Sequence, residues 1–138
     1  MIPSLKMYAI AFGSAALVFL ALDAVWLTQM NEILYRRHLS EILLNGFRLT
    51  PAIIFYVLYL SGIVYFAIMP AWAEGSLTRA VVNGALLGLI CYGTYDLTNQ
   101  ATLKVWSTTV TLADLAWGTF VTSSASAAGF WVSQRFAG

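Results

Sequence analysis

A chain of 138 residues that is 60% hydrophobic, only 9% charged and has a mean hydropathy of +0.78 carries more apolar surface than one soluble core can bury. The chain has seven lysines and arginines and six acids, and no run of like charge occurs. This composition excludes the basic surface that nucleic-acid binding requires. The single cysteine, Cys91, excludes an internal disulfide, and the composition indicates an integral membrane protein.

Four apolar runs are each long enough for a helix across the hydrocarbon core of a bilayer, which takes about 20 residues. They cover residues 7–30, 52–70, 77–98 and 110–134. The second run and most of the fourth contain no charged residue. We therefore expect an all-α integral membrane fold, in which residues 1–138 form a single domain built as a bundle of four transmembrane helices.

The connection between the first two spans, residues 31–48, alternates apolar and charged side chains at roughly helical spacing. This pattern is typical of a short amphipathic helix that lies along the membrane surface. The pair Asn45-Gly46 should end it. We expect this interfacial helix between helices 1 and 2.

Four spans place both termini on one side of the membrane, with residues 31–48 and the 99–109 loop on the other. Three of the lysines and arginines fall on the side of the termini and four on the opposite side. Because a difference of one is small for the positive-inside rule, the orientation stays open, with a slight preference for termini outside the cytoplasm.

Three of the six acids, Asp23, Asp96 and Asp114, fall inside predicted spans near their ends. Because successive helices run in opposite directions, all three should lie at the same depth, about one helical turn below the surface opposite the termini. A carboxylate costs on the order of 2.5 to 3.5 kcal/mol at the bilayer centre. The three acids should therefore face the bundle interior or a wet cavity.

Aromatic and polar side chains accompany these acids, and the pattern Asp-x-x-Trp occurs twice, placing acid and indole on one helical face. Tyr56 and Tyr59 of the second helix should reach a similar depth. The functional interpretation is a site for a lipid, a small ligand or a proton. The structural interpretation is that the aspartates cap helix ends, bond Trp or Tyr groups or pair with arginines, and so lock the bundle. The candidate site residues are Asp23, Trp26, Tyr92, Tyr95, Asp96, Asn99, Asp114 and Trp117.

Small residues recur on the third and fourth helices at spacings of three and four, and such residues let helices approach closely within a membrane. They favour either tight packing inside the chain or a flat face for a membrane-protein partner or a second copy. These residues are Gly84, Gly88, Gly118, Thr122, Ala125 and Gly129.

Catalysis by this chain alone is not expected, and neither is a metal or another cofactor. The single histidine, His38, cannot supply the ligand clusters of membrane oxygenases and desaturases. No metal spacing, phosphate loop or nucleophile elbow occurs in the sequence. An intramembrane aspartyl protease would need a glycine two residues before its second aspartate, where this chain has Leu112.

Four segments carry a family resemblance: LDAVWL at 22–27, YRRHLSEIL at 35–43, TYDLTNQATLKVW at 94–106 and TLADLAWGT at 111–119. Together they closely resemble a family of bacterial predicted inner-membrane proteins known as domain of unknown function 2177. The resemblance covers nearly the whole chain. It implies a multi-pass protein of the bacterial inner membrane with four helices, and it brings no established activity.

Two functions from different classes are open. The first is a non-catalytic membrane protein whose aspartate and aromatic cluster binds a lipid, a small ligand or a proton, and it predicts that Asp96 and Asp114 lie together in a cavity. The alternative is an accessory subunit that packs onto a larger respiratory or photosynthetic complex. It predicts acids with satisfied hydrogen bonds, no cavity and a lipid-facing surface of small residues. Membrane lipids are expected contacts in both.

Overall fold

Four long helices joined by short connections make up the computed structural model, which describes residues 2–138 and contains no strand in that range. We number them α1 (Leu5–Leu39), α2 (Leu49–Glu74), α3 (Leu77–Thr102) and α4 (Thr108–Ala137). The first three are long and apolar enough to cross a membrane. The all-helical prediction is confirmed, with three candidate spans. The fourth helix has 30 residues but is rich in serine and threonine, and it is not among the three.

Helix α1 continues through the segment in which the sequence predicts a separate interfacial helix. Asn31–Tyr35 form a π-helical turn, Arg36–Leu39 complete the helix, and residues 43–48 are not helical. Leu34 and Leu39 are buried with Val110 of α4, so this extension is packed onto the bundle. A separate amphipathic helix at 31–48 is therefore not confirmed, because the helical spacing of its apolar residues belongs largely to the end of α1.

Helix α2 also runs further than predicted, because the chain accommodates Pro70 inside it. Proline has no N–H to donate to the carbonyl four residues earlier, here that of Phe66. The side-chain amide of Asn83 on α3 donates to this carbonyl at 3.2 Å. A π-helical turn at Val64–Ile68 precedes the proline. The helix ends at Glu74 and is capped by Gly75, whose φ of 62° is left-handed.

Serine side chains begin three of the helices. Ser4 accepts a hydrogen bond from the backbone N–H of Met7, and Ser76 accepts one from that of Arg79. Ser107 does the same at the start of α4. Because the first N–H groups of a helix lack carbonyl partners, these hydroxyl groups fix where the helices begin.

Helix α4 lies at the centre of the bundle, packed along both α1 and α3 and contacted by α2 near its π-helical turn. A Cβ atom on Gly88 would overlap the carbonyl oxygen of Gly118, and one on Gly84 would overlap the side chain of Ser126. The backbones of α3 and α4 therefore touch. All six small residues singled out in the sequence are buried between helices of this chain: Gly84, Gly88, Gly118, Thr122, Ala125 and Gly129.

Several polar residues of α4 also lie at these internal contacts. The hydroxyl group of Ser126 donates to the carbonyl of Thr122 at 2.7 Å, and that of Ser133 donates to the carbonyl of Gly129 at 2.6 Å. Ser133 in turn accepts a hydrogen bond from the indole N–H of Trp72 at 2.9 Å. The buried hydroxyl groups of α4 thus have partners inside the bundle.

Candidate functional site

A cavity of about 390 Å³ lies between the four helices, bounded by the second half of α1, the first half of α2, the end of α3 and the start of α4. Its wall contains three acids and eight aromatic rings, and no lysine, arginine or histidine of the described chain lines it. The lining residues are Asp23, Trp26, Leu27, Tyr35, Phe55, Tyr56, Tyr59, Cys91, Tyr92, Tyr95, Asp96, Asp114 and Trp117.

Asp23, half-buried on α1, has a hydrogen-bond donor for each carboxylate oxygen. The hydroxyl group of Tyr56 on α2 donates to Oδ2 at 2.6 Å, and the indole N–H of Trp117 on α4 donates to Oδ1 at 3.3 Å. Asp23 thereby joins three helices at one point. Its hydrogen bonds match the structural interpretation of the sequence.

Asp114, at the start of α4, is held by the extension of α1. The hydroxyl group of Tyr35 donates to its Oδ1, and the indole N–H of Trp26 donates to the Tyr35 oxygen at 2.9 Å. The Trp26 ring also stacks on Trp117, with centroids 4.5 Å apart and planes within 10°. The two Asp-x-x-Trp segments therefore contact each other across α1 and α4. Neither indole donates to the acid of its own segment: Trp26 donates to Tyr35, and Trp117 donates to Asp23.

Asp96 on α3 differs from both of these acids. Its side chain is fully buried, and neither carboxylate oxygen has a hydrogen-bond partner among residues 2–138. The carboxyl group of Asp114 lies next to it. Because both groups are acceptors when ionised, they can bond each other only with a proton held between them. Asp96 lines the cavity, and even with such a shared proton part of its acceptor capacity is unused.

Seven of the eight cluster residues predicted from the sequence line this cavity. Asn99 does not, since it lies nearly one turn beyond Asp96, where its carbonyl accepts a hydrogen bond from the backbone N–H of Leu103 at 2.9 Å. Within the described chain no aspartate pairs with an arginine. Arg36 donates instead to the Leu44 carbonyl and the Asn45 side chain, and the ion pair formed is Arg79 with Glu74 at 2.7 Å.

Tyr35 is the main cavity residue that the sequence did not reveal. Nine residues separate it from Trp26, which is about 2.5 turns of a regular α-helix and places the two on opposite faces. The π-helical turn at Asn31–Tyr35 changes that register, so that both side chains reach the cavity. Leu27, Phe55 and Cys91 also line the cavity without a sequence signal of their own.

Apolar helices around an acidic, aromatic cavity define a multi-pass helical membrane protein. The chain belongs to the predicted membrane protein family DUF2177, whose model matches residues 8–131. The family membership and the membrane location expected from the sequence are confirmed by this match. No curated protein and no solved structure matches the chain.

Proposed function

We propose that this protein is a non-catalytic membrane protein that binds a small ligand, lipid molecules included, in the cavity beside Asp96. The observation that carries the proposal is the buried carboxylate of Asp96, which lines the cavity and lacks a donor among residues 2–138. Buried polar groups in folded proteins nearly always have hydrogen-bond partners. A buried carboxylate without a donor costs several kcal/mol unless it holds a proton, and a bound molecule with donor groups would supply the partner that the ionised acid needs.

The size of the cavity supports a ligand larger than a proton. Sites for small molecules occupy about 300–1,000 Å³ and are lined mostly by apolar and aromatic side chains with a few polar groups, and this cavity has both properties. A proton shared between Asp96 and Asp114 would neutralise one of the two acids and leave this volume unused. We therefore favour a small molecule over proton binding alone.

The rim of the cavity favours a ligand that arrives through the bilayer. Leu27 and Phe55 line the cavity and are each 45% exposed, and Tyr95 is 60% exposed. These three side chains border the outer surface of the helices, which in a membrane protein faces lipid. A ligand with an apolar part fits this rim, as a lipid or another amphiphile would.

We also propose that all four helices cross the membrane. At 1.5 Å per residue, the 30 residues of α4 span about 45 Å, more than the ~30 Å hydrocarbon core. Its hydroxyl groups lower its hydropathy, yet those that are buried bond carbonyls or side chains within the bundle. In a bacterium, where outer-membrane proteins are built as β-barrels, a helical chain of this kind belongs in the inner membrane.

The alternative function, an accessory subunit of a respiratory or photosynthetic complex, depends on a small-residue face turned to the lipid. Those residues are buried between the helices, and within residues 2–138 Asp96 has none of the satisfied hydrogen bonds that the alternative predicts. Both observations favour ligand binding over the accessory role.

The test is to purify the wild type, Asp96→Asn and Glu32→Gln from membranes in mild detergent and to identify co-purifying molecules by mass spectrometry. Glu32 is an exposed acid of α1 outside the cavity, so its variant matches the charge change. We expect one defined small molecule near stoichiometric amount with the wild type and Glu32→Gln, and its loss from Asp96→Asn.

Equal amounts of that molecule in all three preparations would overturn the role of Asp96. A stoichiometric protein partner, with no small molecule in any preparation, would establish the accessory role instead. Circular dichroism of each variant checks that the helices are intact before the comparison is made.

A further inference from the structure

We propose that the ligand is a protonated primary or secondary amine with an apolar body, and that its N–H groups donate to Asp96. This inference rests on the proposed function, since it names the chemical class of molecule that the same cavity binds. Three independent features of the cavity lead to it: its charge, the missing donors of Asp96 and its aromatic wall.

The charge of the lining selects a cation. Asp23, Asp96 and Asp114 contribute three carboxyl groups, and no basic side chain of the described residues faces them across the cavity. A site of one sign with low-dielectric walls attracts the opposite charge and repels its own. Phosphate and carboxylate groups are therefore disfavoured, whereas a single positive charge compensates the acid that has no partner.

The missing donors favour an amine over other cations. Asp23 and Asp114 already accept hydrogen bonds from Tyr and Trp groups, whereas neither oxygen of Asp96 has a donor among residues 2–138. A protonated amine supplies N–H donors to such oxygens, whereas a quaternary ammonium supplies none. Within residues 2–138 no group of three or more His, Cys, Asp or Glu side chains is arranged to hold a metal ion, so the geometry favours an organic cation.

The aromatic wall suits the rest of such a molecule. Trp26 and Trp117 form a stacked pair at one side, and the rings of Phe55 and Tyr59 stack at 5.3 Å on α2. A cation within about 6 Å of an aromatic face is attracted by the ring, and the same faces accept an apolar body. Tyr59 directs its hydroxyl group to Thr122 at 2.8 Å, so this polar group is already satisfied.

The test compares three probes that share a phenylethyl group: 2-phenylethylamine, its N,N,N-trimethyl analogue and neutral 2-phenylethanol. Their dissociation constants are measured by isothermal titration calorimetry at neutral pH with the full chain in lipid nanodiscs. We expect the amine to bind at least about tenfold more tightly than either analogue. Asp96→Asn should weaken amine binding by at least about tenfold and leave the alcohol unchanged, and Glu32→Gln should change neither.

Equal affinities for the amine and the alcohol would overturn the inference, as would an amine affinity that Asp96→Asn leaves intact. Equal affinity for the trimethyl analogue would overturn N–H donation to Asp96. If Asp96→Asn does not fold, the wild type still gives a readout through Cys91, which lines the cavity and is the only cysteine. 2-Phenylethylamine should slow its alkylation by N-ethylmaleimide, and absence of protection would contradict the inference.

Co-purification distinguishes failure of the amine inference from failure of the proposed function. A neutral molecule that co-purifies with the wild type and is lost from Asp96→Asn would overturn the inference that the ligand is an amine. It would leave the proposal of ligand binding intact. A co-purifying molecule retained by Asp96→Asn would overturn both the amine inference and the role of Asp96 in the proposed function.

Discussion

The hydroxyl group of Tyr35 donates a hydrogen bond to the carboxylate of Asp114, although 79 residues separate them in the chain. The same hydroxyl oxygen accepts the indole N–H of Trp26 at 2.9 Å. One phenol group thus connects the extension of α1 to the start of α4 at the edge of the cavity. The connection explains why residues 31–39 pack onto the bundle and do not form a separate interfacial helix.

Tyr35→Phe should destabilise the protein by about 1–3 kcal/mol, because it leaves the Trp26 donor and the Asp114 acceptor without their shared partner. Unfolding by sodium dodecyl sulfate in mixed micelles, followed by circular dichroism, measures the free energy. Tyr65→Phe is the matched control, because Tyr65 is 62% exposed on the outer surface of α2. A cost for Tyr35→Phe equal to that of the control would contradict the role of this hydroxyl group.

Gly88→Ala should destabilise the bundle by about 1–3 kcal/mol, because the new methyl group would overlap the Gly118 carbonyl and force α3 away from α4. Gly62→Ala, on α2, is the control, since a Cβ there meets nothing within 4 Å. The midpoint of thermal unfolding in detergent should fall for the first variant and hold or rise for the second. Equal midpoints would show that α3 and α4 do not pack as closely as described.

The hydrogen bond from Asn83 to the Phe66 carbonyl predicts coupling between Asn83 and Pro70. Asn83→Ala should cost about 0.6–2 kcal/mol, the range for side-chain hydrogen bonds between membrane helices. In a Pro70→Ala background the new N–H at position 70 can donate to that carbonyl, so the cost of Asn83→Ala should shrink. A double-mutant cycle of unfolding free energies measures the coupling, and strict additivity would contradict it.

Cys91 should report the charge of the cavity. Cationic 2-aminoethyl methanethiosulfonate should modify it faster than the anionic 2-sulfonatoethyl reagent, by about tenfold or more, because three acids line the same space. The rates are read by mass spectrometry of the intact protein. The reaction of both reagents with 2-mercaptoethanol in solution gives their intrinsic ratio, and an equal ratio at Cys91 would exclude a negative cavity.

Hydropathy and topology predicted the helical class, the approximate positions of the four helices and the grouping of three aspartates. Runs of apolar residues indicate membrane helices directly, because a helix needs about 20 apolar residues to cross the hydrocarbon core. The sequence was less informative for α4, in which four serines and threonines (Thr111, Thr122, Ser126 and Ser133) are buried between helices, and for residues 31–39, whose charges suggested a membrane surface. In both places the average polarity of a segment does not tell which neighbour each side chain meets.

The sequence by itself determined that the chain is a helical membrane protein and that Asp23, Asp96 and Asp114 belong to one level of it, because these properties depend on composition and on the alternation of helix direction. Only the tertiary structure decided that Tyr56 and Trp117 donate hydrogen bonds to Asp23 and that Tyr35 donates one to Asp114. It also decided that Asp96 has no donor among residues 2–138. These pairings depend on how far each helix is rotated about its axis. Two π-helical turns and the close contact of α3 with α4 set that rotation, and a regular helical period does not reveal it.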